Sequence, residues 1–498
     1  MSEPLATAVV IALFGALLAI STLLTRVLDR FGIPVALLFL VLGMVGGSEG
    51  LGGLHFDDAD FTFRVGTIAL ILILLDGGLN TSWKSVRVAA LPAGLLATFG
   101  VAGTAAIVAL AGRLFGLDWG VAILTGAIVS STDAAAVFGV LRGSGIRLEP
   151  RLQATLEVES CANDPMAVIL TLAATDAVAR GSLPDARVLL EIPLQILIGV
   201  AVGLASGFGF RFLLNAIRLS ARGLYPVLVV ASAFTAFGAS TLIYGSGFLS
   251  VFISSLVVGN GHLPFGPGLR RVHDSLAWLC QITLFLMLGL LVFPSRLTPQ
   301  SGTGIALGLV LAFIARPLVV STCLALLRWP RRESLVAGWV GLRGAVPIVL
   351  ATIPVMKGLD VGDQVFHLVF YVVVVSAIIP GASIVPVALA SRLGRRDRSS
   401  TSVELELNLR KPLSRELRNF TIAPHSPACG LSLRDLQLPD SVAIVLIIRD
   451  DEPLPARGST RLAPSDLLYV VCTPEDLPAL EHLLLSAVIP TPNPGASP

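Results

Sequence analysis

Apolar stretches long enough to cross a membrane follow one another from Pro4 to Ser391, and no other feature limits the fold so tightly. About thirteen can be marked, roughly 5–25, 31–47, 62–80, 86–112, 118–141, 150–175, 189–216, 222–240, 244–259, 272–294, 302–327, 333–355 and 363–391; each lies near the ~20 residues a helix needs to span the hydrocarbon. Composition agrees. Charged residues make up 14% and hydrophobic ones 54% of the 498, with a mean hydropathy of +0.84, whereas soluble domains carry about 25% charge. A soluble globular enzyme, a disordered chain and a coiled coil are excluded. The expected fold is an all-α polytopic membrane protein. A net charge of +2 gives no reason to expect nucleic acid as a partner. The five cysteines, at 161, 280, 323, 429 and 472, form no CxxC pair, so free thiols are expected rather than a zinc site or a disulfide framework. Glu3 stands where a signal peptide would be basic, so the first stretch reads as a retained span.

The loops orient the spans through their charge. Every second loop is basic, from Arg26 and Arg30 through Lys84 and Arg87; Arg142, Arg147 and Arg151; Arg218 and Arg222; Arg270 and Arg271; to Arg328, Arg331 and Arg332. Arg392, Arg395, Arg396 and Arg398 follow the last span. The alternate loops carry little positive charge, and the one at 48–60 is acidic. The pattern puts the N-terminus outside and the C-terminus in the cytoplasm.

Composition changes near Arg392. A transmembrane domain over 1–391 gives way to a polar cytoplasmic linker at 392–420. Residues 421–488 then alternate short apolar runs with turns, including VAIVLIIRDDEP, LLYVVCTPEDL and a helical ALEHLLL. That pattern reads as a small α/β domain. The Pro-rich tail at 489–498 is expected to be disordered.

Ionisable groups in mid-span cost roughly 2.5–3.5 kcal/mol each on insertion scales, so they mark sites or pairs. The fifth span, GAIVSSTDAAAVFGVL, holds Asp133 behind Ser130, Ser131 and Thr132, with Gly126 and Gly139 flanking. Small hydroxyl residues and glycines permit a broken helix whose carbonyls can replace the hydration shell of a cation. A plain helix contact of small residues would not need the aspartate. The sixth, LEVESCANDPMAVIL, holds Asp164 between Asn163 and Pro165. Pro165 frees a carbonyl one turn earlier. A carboxylate there can hold a cation when ionised or a proton when neutral; capping an interfacial helix end is the structural alternative. The twelfth, SLVAGWVGLRGAVPIVL, holds Arg343 between Gly341 and Gly344. An arginine there needs a carboxylate, with Glu159 the first candidate and Glu157 the second.

Spans five and twelve are seven apart, an odd offset that inverts orientation. Two interrupted helices at matching places in inverted halves point to a midplane transporter site. Asp76 lines an entry funnel or caps a helix. Arg316-Pro317 marks a kink with its own partner. Gln281 and His367 read as satisfying neighbouring helices.

These segments resemble the NhaP-type monovalent cation:proton antiporters. The resemblance rests on LILLDGGLNTSW (72–83), GAIVSSTDAAAVFGVLR (126–142), ESCANDP (159–165), WLCQITLFLMLGLLVFP (278–294), ARPLVV (315–320) and WVGLRGAVPIVLA (339–351). The potassium:proton branch is the most similar. The resemblance implies a homodimer with an interface domain and a moving core. It implies Asp164 as the cation and proton carrier, with Thr132, Ser160 and the region of Asp133 completing the coordination of a monovalent cation. Asn163 stands where electrogenic relatives have aspartate, which implies electroneutral exchange. Glu159 and Arg343 would form a stabilising pair. No cofactor is implied. Residues 426–471 resemble a TrkA-C (RCK C-terminal) domain, which implies dimerisation and a small regulatory ligand, such as a nucleotide. No GxGxxG unit accompanies it, and the further C-terminal domain of some relatives is not expected here. The competing reading is a ligand-gated cation channel, for which no TVGYG-like filter is present.

Overall fold

Backbone amides in hydrocarbon find no water, so each segment must satisfy its own hydrogen bonds as a helix. The computed structural model describes residues 35–181 except 51, 55 and 57, residues 188–396 except 218, 220, 262 and 345, most of 416–484, and parts of 8–23. The first expected span, 5–25, lies partly outside the described residues. The chain divides into two compact units, Met1–Asp397 and Arg398–Pro498.

The first unit is helical. Its helices are α1 (Val35–Gly46), α2 (Ala59–Asn80), α3 (Trp83–Leu114), α4 (Trp119–Ile128), α5 (Ala134–Gly143), α6 (Pro150–Ala179) and α7 (Val188–Ala216). Then come α8 (Leu224–Leu242), α9 (Gly247–Gly259), α10 (Gly266–Leu291), α11 (Pro294–Leu326), α12 (Arg331–Trp339), α13 (Val346–Met356) and α14 (Gly362–Ala390). Seven of the described helices (α2, α3, α7, α8, α10, α11 and α14) are long and apolar enough to cross a membrane. The 30-residue α6 is not among them; Glu157, Glu159, Asn163 and Asp164 lie along it. Side-chain caps fix two starts: Asp58 Oδ1 accepts from the Phe61 amide at 2.8 Å and Ser82 Oγ from the Ser85 amide at 3.0 Å.

Three helices contain a π turn near a proline: Leu96–Gly100 in α3 near Pro92, Leu311–Ala315 in α11 before Pro317, and Ala377–Gly381 in α14 around Pro380. Proline removes a donor and crowds the preceding turn, and the wider turn accommodates it. One glycine contact sets how close two helices come. A side chain on Gly43 of α1 would collide with the Leu286 carbonyl of α10, and one on Gly289 with the Leu40 carbonyl. The backbones of α1 and α10 therefore touch.

Two short strands close this unit. β1 (Ile146–Leu148) pairs antiparallel with β2 (Gly394–Arg396).

The second unit is a four-stranded antiparallel sheet of β3 (Glu416–Thr421), β4 (Ala443–Arg449), β5 (Glu452–Leu454) and β6 (Leu467–Cys472), in the order β3-β6-β4-β5. A register shift interrupts β4 between Ile444 and Leu446. Phe420, Ile447, Leu468, Val470 and Leu484 form its core. Asp466, fully buried, accepts from Nε and Nη2 of Arg449, both at 2.7 Å, and from the Ala463 amide at 2.7 Å. Burial pushes the Tyr469 hydroxyl above its usual titration range. The expected ALEHLLL helix, most of the linker and the Pro-rich tail lie largely or wholly outside the described residues.

Candidate functional site

Two helices stop short in mid-unit and restart. α4 ends at Ile128 and α5 begins at Ala134; α12 ends at Trp339 and α13 begins at Val346. The two breaks bond to each other, the Asp133 amide donating to the Leu342 carbonyl at 2.8 Å. Gly344 makes the approach possible, because any Cβ there would overlap the Asp133 carboxylate.

Each break leaves helix ends without partners, and two charged side chains answer them. Arg343, nearly buried, donates from Nε to the Val129 carbonyl at 2.7 Å and from Nη1 to the Gly341 carbonyl at 2.8 Å. Those carbonyls lie just past the C-terminal ends of α4 and α12, where a cation is favourable. Asp133 takes the opposite role. Its Oδ1 accepts from the Ala136 amide at 3.0 Å, capping α5.

α6 runs past the crossing and pins it. Ser160 Oγ donates to the Thr132 carbonyl at 2.8 Å and accepts from the Ala134 amide at 3.0 Å. Asn163 Nδ2 donates to Thr132 Oγ1 at 2.6 Å. The hydroxyls of Thr132 and Ser160 are therefore already engaged. The buried oxygens without a hydrogen bond among the described residues include Asp164 Oδ1, Asn163 Oδ1 and Ser131 Oγ. The Ser131 side chain stands beside the Asp164 carboxylate. A buried oxygen with no donor is costly in a protein interior, and a bound cation or proton would satisfy it.

Asp164 and Ser131 face a cavity of about 540 Å³ lined also by Asp76, Asp133, Glu157, Asp274 and Arg147, among others. Asp76 lines this space, and Asn80 Nδ2 donates to its Oδ1 at 2.8 Å. Gln281 lines it as well. Asp274 and Ser131 were not singled out by sequence reasoning: Asp274 reads as a loop-edge charge after Arg270 and Arg271, and Ser131 as one hydroxyl in a run of three. None of the His, Cys, Asp and Glu side chains among the described residues clusters in a way that would hold a resident metal.

One expected pair is corrected. Glu159 does not pair with Arg343. Its partner is Arg316 of α11, with Nη1 at 2.6 Å from Oε1 and Nη2 donating to Oε2 at 3.0 Å. Glu159 and Arg316 are both nearly inaccessible. The reason is the break itself: Arg343 sits among carbonyls that lack donors and is used there, while Arg316 leaves the π turn of α11 facing α6. Glu157, the second candidate, lines the cavity instead.

Crossed, interrupted helices beside a buried carboxyl that no arginine or lysine among the described residues neutralises, in a polytopic helical unit, define an ion transporter of the secondary kind. The family model described as sodium/hydrogen exchanger, transmembrane, matches residues 15–390, and that of the TrkA-C domain matches 417–485. The chain belongs to the sodium/hydrogen exchanger family. It is 40% identical over 479 residues to the K(+)/H(+) antiporter NhaP of Alkalimonas amylolytica, covering 96% of this chain and 83% of that one. It is 38% identical over 480 residues to the K(+)/H(+) antiporter NhaP2 of Shewanella sp. strain ANA-3, covering 95% and 83%. Among solved structures it resembles the sodium proton antiporter MjNhaP1 of Methanocaldococcus jannaschii, with a TM-score of 0.64 at 23% identity over 76% of this chain and 100% of that one. The protein is thus a membrane cation/proton antiporter and not an enzyme, and the channel reading finds no support.

Proposed function

We propose that the protein exchanges potassium for protons, one for one, across a bacterial inner membrane, with Asp164 as the shared carrier. The observation that carries this reading is the unpartnered, buried Asp164 Oδ1 on the wall of the cavity. Thr132, Ser160 and the Asp133 region shape the cation site, and the Ser131 hydroxyl stands beside the Asp164 carboxyl on the same wall. A single carboxylate takes either a cation or a proton. The empty, charged form is expensive to move through the low-dielectric barrier, so the carrier crosses only when loaded. Asn163 is neutral, so no second charge travels with it. The potassium preference rests on the names of the NhaP and NhaP2 relatives.

The transmembrane domain is 1–391, with thirteen spans in two inverted halves. Interrupted helices α4–α5 and α12–α13 occupy corresponding places, each following a helix that contains a π turn, α3 and α11. The chain forms a homodimer, with the N-terminus outside. Residues 392–420 form a cytoplasmic linker, 421–488 a regulatory domain that responds to a small ligand, a nucleotide being one candidate, and 489–498 a disordered tail. No cofactor takes part.

Dye-reported proton movement in proteoliposomes tests the proposal, comparing potassium, sodium and lithium. Potassium-driven flux without current, abolished by Asp164→Asn, is the expected result. Flux that carries current, or survives that substitution, overturns it.

A further inference from the structure

The ladder of β1 and β2 joins two parts of the chain with different tasks. β1 starts shortly after α5, the half-helix that Asp133 caps, and Gly145 and all three β1 residues line the Asp164 cavity. β2 follows α14, the last helix of the membrane unit, and from it the chain runs on to the sheet domain. The pairs are Ile146 with Arg396, Arg147 with Arg395 and Leu148 with Gly394. The Glu149 amide adds a bond to the Leu393 carbonyl at 3.0 Å. Ile146, Leu148 and Leu393 are buried in one cluster with Leu141 of α5, Leu152 of α6 and Ile384 of α14. Displacing β2 therefore displaces β1, and with it the wall of the cavity.

The ladder is also weak. A two-stranded sheet is marginal without packing. Arg147 and Arg395, both exposed, lie directly opposite each other. Packing from the helices holds it.

We propose that the β1–β2 ladder is the coupling element through which the C-terminal sheet domain sets the opening of the ion cavity. The inference rests on the reading that the TrkA-C domain regulates exchange. Four full-length variants in proteoliposomes separate the two. Asp466→Ala perturbs the sheet domain by removing the buried partner of Arg449. Gly394→Val wedges the ladder, because a Cβ there already meets the Ile146 Cγ2 and Ala388 Cβ atoms at 3.0 Å. Gly394→Ala is the milder wedge, in case the valine variant does not fold. The double variant joins Asp466→Ala to whichever wedge folds.

Asp466→Ala is expected to shift the potassium half-saturation by roughly 2- to 30-fold, the range seen for changes along coupled networks. The wedge should shift it in the same direction, and the double variant should add nothing. An unchanged half-saturation in both Gly394 variants overturns the coupling role while the regulatory reading stands. Effects that multiply in the double variant do the same, since they need independent routes. No effect of Asp466→Ala in a protein whose sheet domain exchanges amide hydrogens faster removes the regulatory reading, and the coupling with it.

Discussion

Glu159 and Asp164 are buried carboxylates on the same helix, five residues apart, and so they face directions about 140° apart around its axis. Glu159 looks toward α11 and meets Arg316 in a two-point ion pair. Asp164 looks into the cavity, where no cation among the described residues pairs with it and only the Ser131 hydroxyl stands beside it. The chemistry of the two side chains is nearly identical. What differs is the arginine, and that decides which one fastens helices together and which one stays available to a mobile ion. A buried charge is structural once it is satisfied and functional when it is left wanting.

Four substitutions would break or sharpen this contrast. The largest effect is expected at Asp164: Asp164→Asn should abolish exchange while the melting temperature holds or rises, because an unpaired charge is removed. A clear loss of stability would put Asp164 on the structural side. Next, Glu159→Ala or Arg316→Ala should destabilise by about 3–5 kcal/mol, the usual cost of stranding one member of a buried pair. Replacing both by leucine should recover most of that, and thermal unfolding in detergent reads the difference. If the two single variants melt like the wild type, the pair is not a fastener. Arg343→Gln should be milder, about 1–3 kcal/mol, because the glutamine amide still donates to one of the two carbonyls and strands the other, with slower exchange at an unchanged ion preference. Exchange at the full rate would mean the crossing does not need its cation.

The smallest effect belongs to an exposed carboxylate. Glu49 accepts from the amide and hydroxyl of Ser295 at the start of α11. The Ser295 hydroxyl first, then its amide, holds the Glu49 carboxyl below its ordinary value. A depressed value adds stability above the unfolded-state titration, and that stability is lost as pH falls through the folded-state one. Glu49→Gln should therefore melt slightly lower than wild type at neutral pH, and the gap should close on the acid side. A gap that widens toward acid would reverse the assignment.

Much of this arrangement is legible in the sequence. Hydroxyls and glycines around Asp133, and glycines around Arg343, mark both breaks, because few other patterns let a helix stop within hydrocarbon. Asp164 stands out by its cost alone. The partner of Glu159 was not legible. Arg316 and Arg343 are both mid-membrane arginines beside glycine or proline, and only the fold shows that one is consumed by helix ends. Asp274 hid behind two neighbouring arginines. β1 and β2 hid for another reason: three-residue strands with arginines at their paired positions carry no readable alternation.

The touching backbones of α1 and α10 have a consequence for inheritance. Gly43 and Gly289 meet with no space for even one methyl group, so nearly every amino-acid change at either position will be rejected. A saturation scan scored by growth would rank this pair beside Asp164, though neither glycine lines the ion cavity. Mutational intolerance in this protein will therefore chart two things at once, where ions pass and where chains graze, and only the coordinates tell them apart.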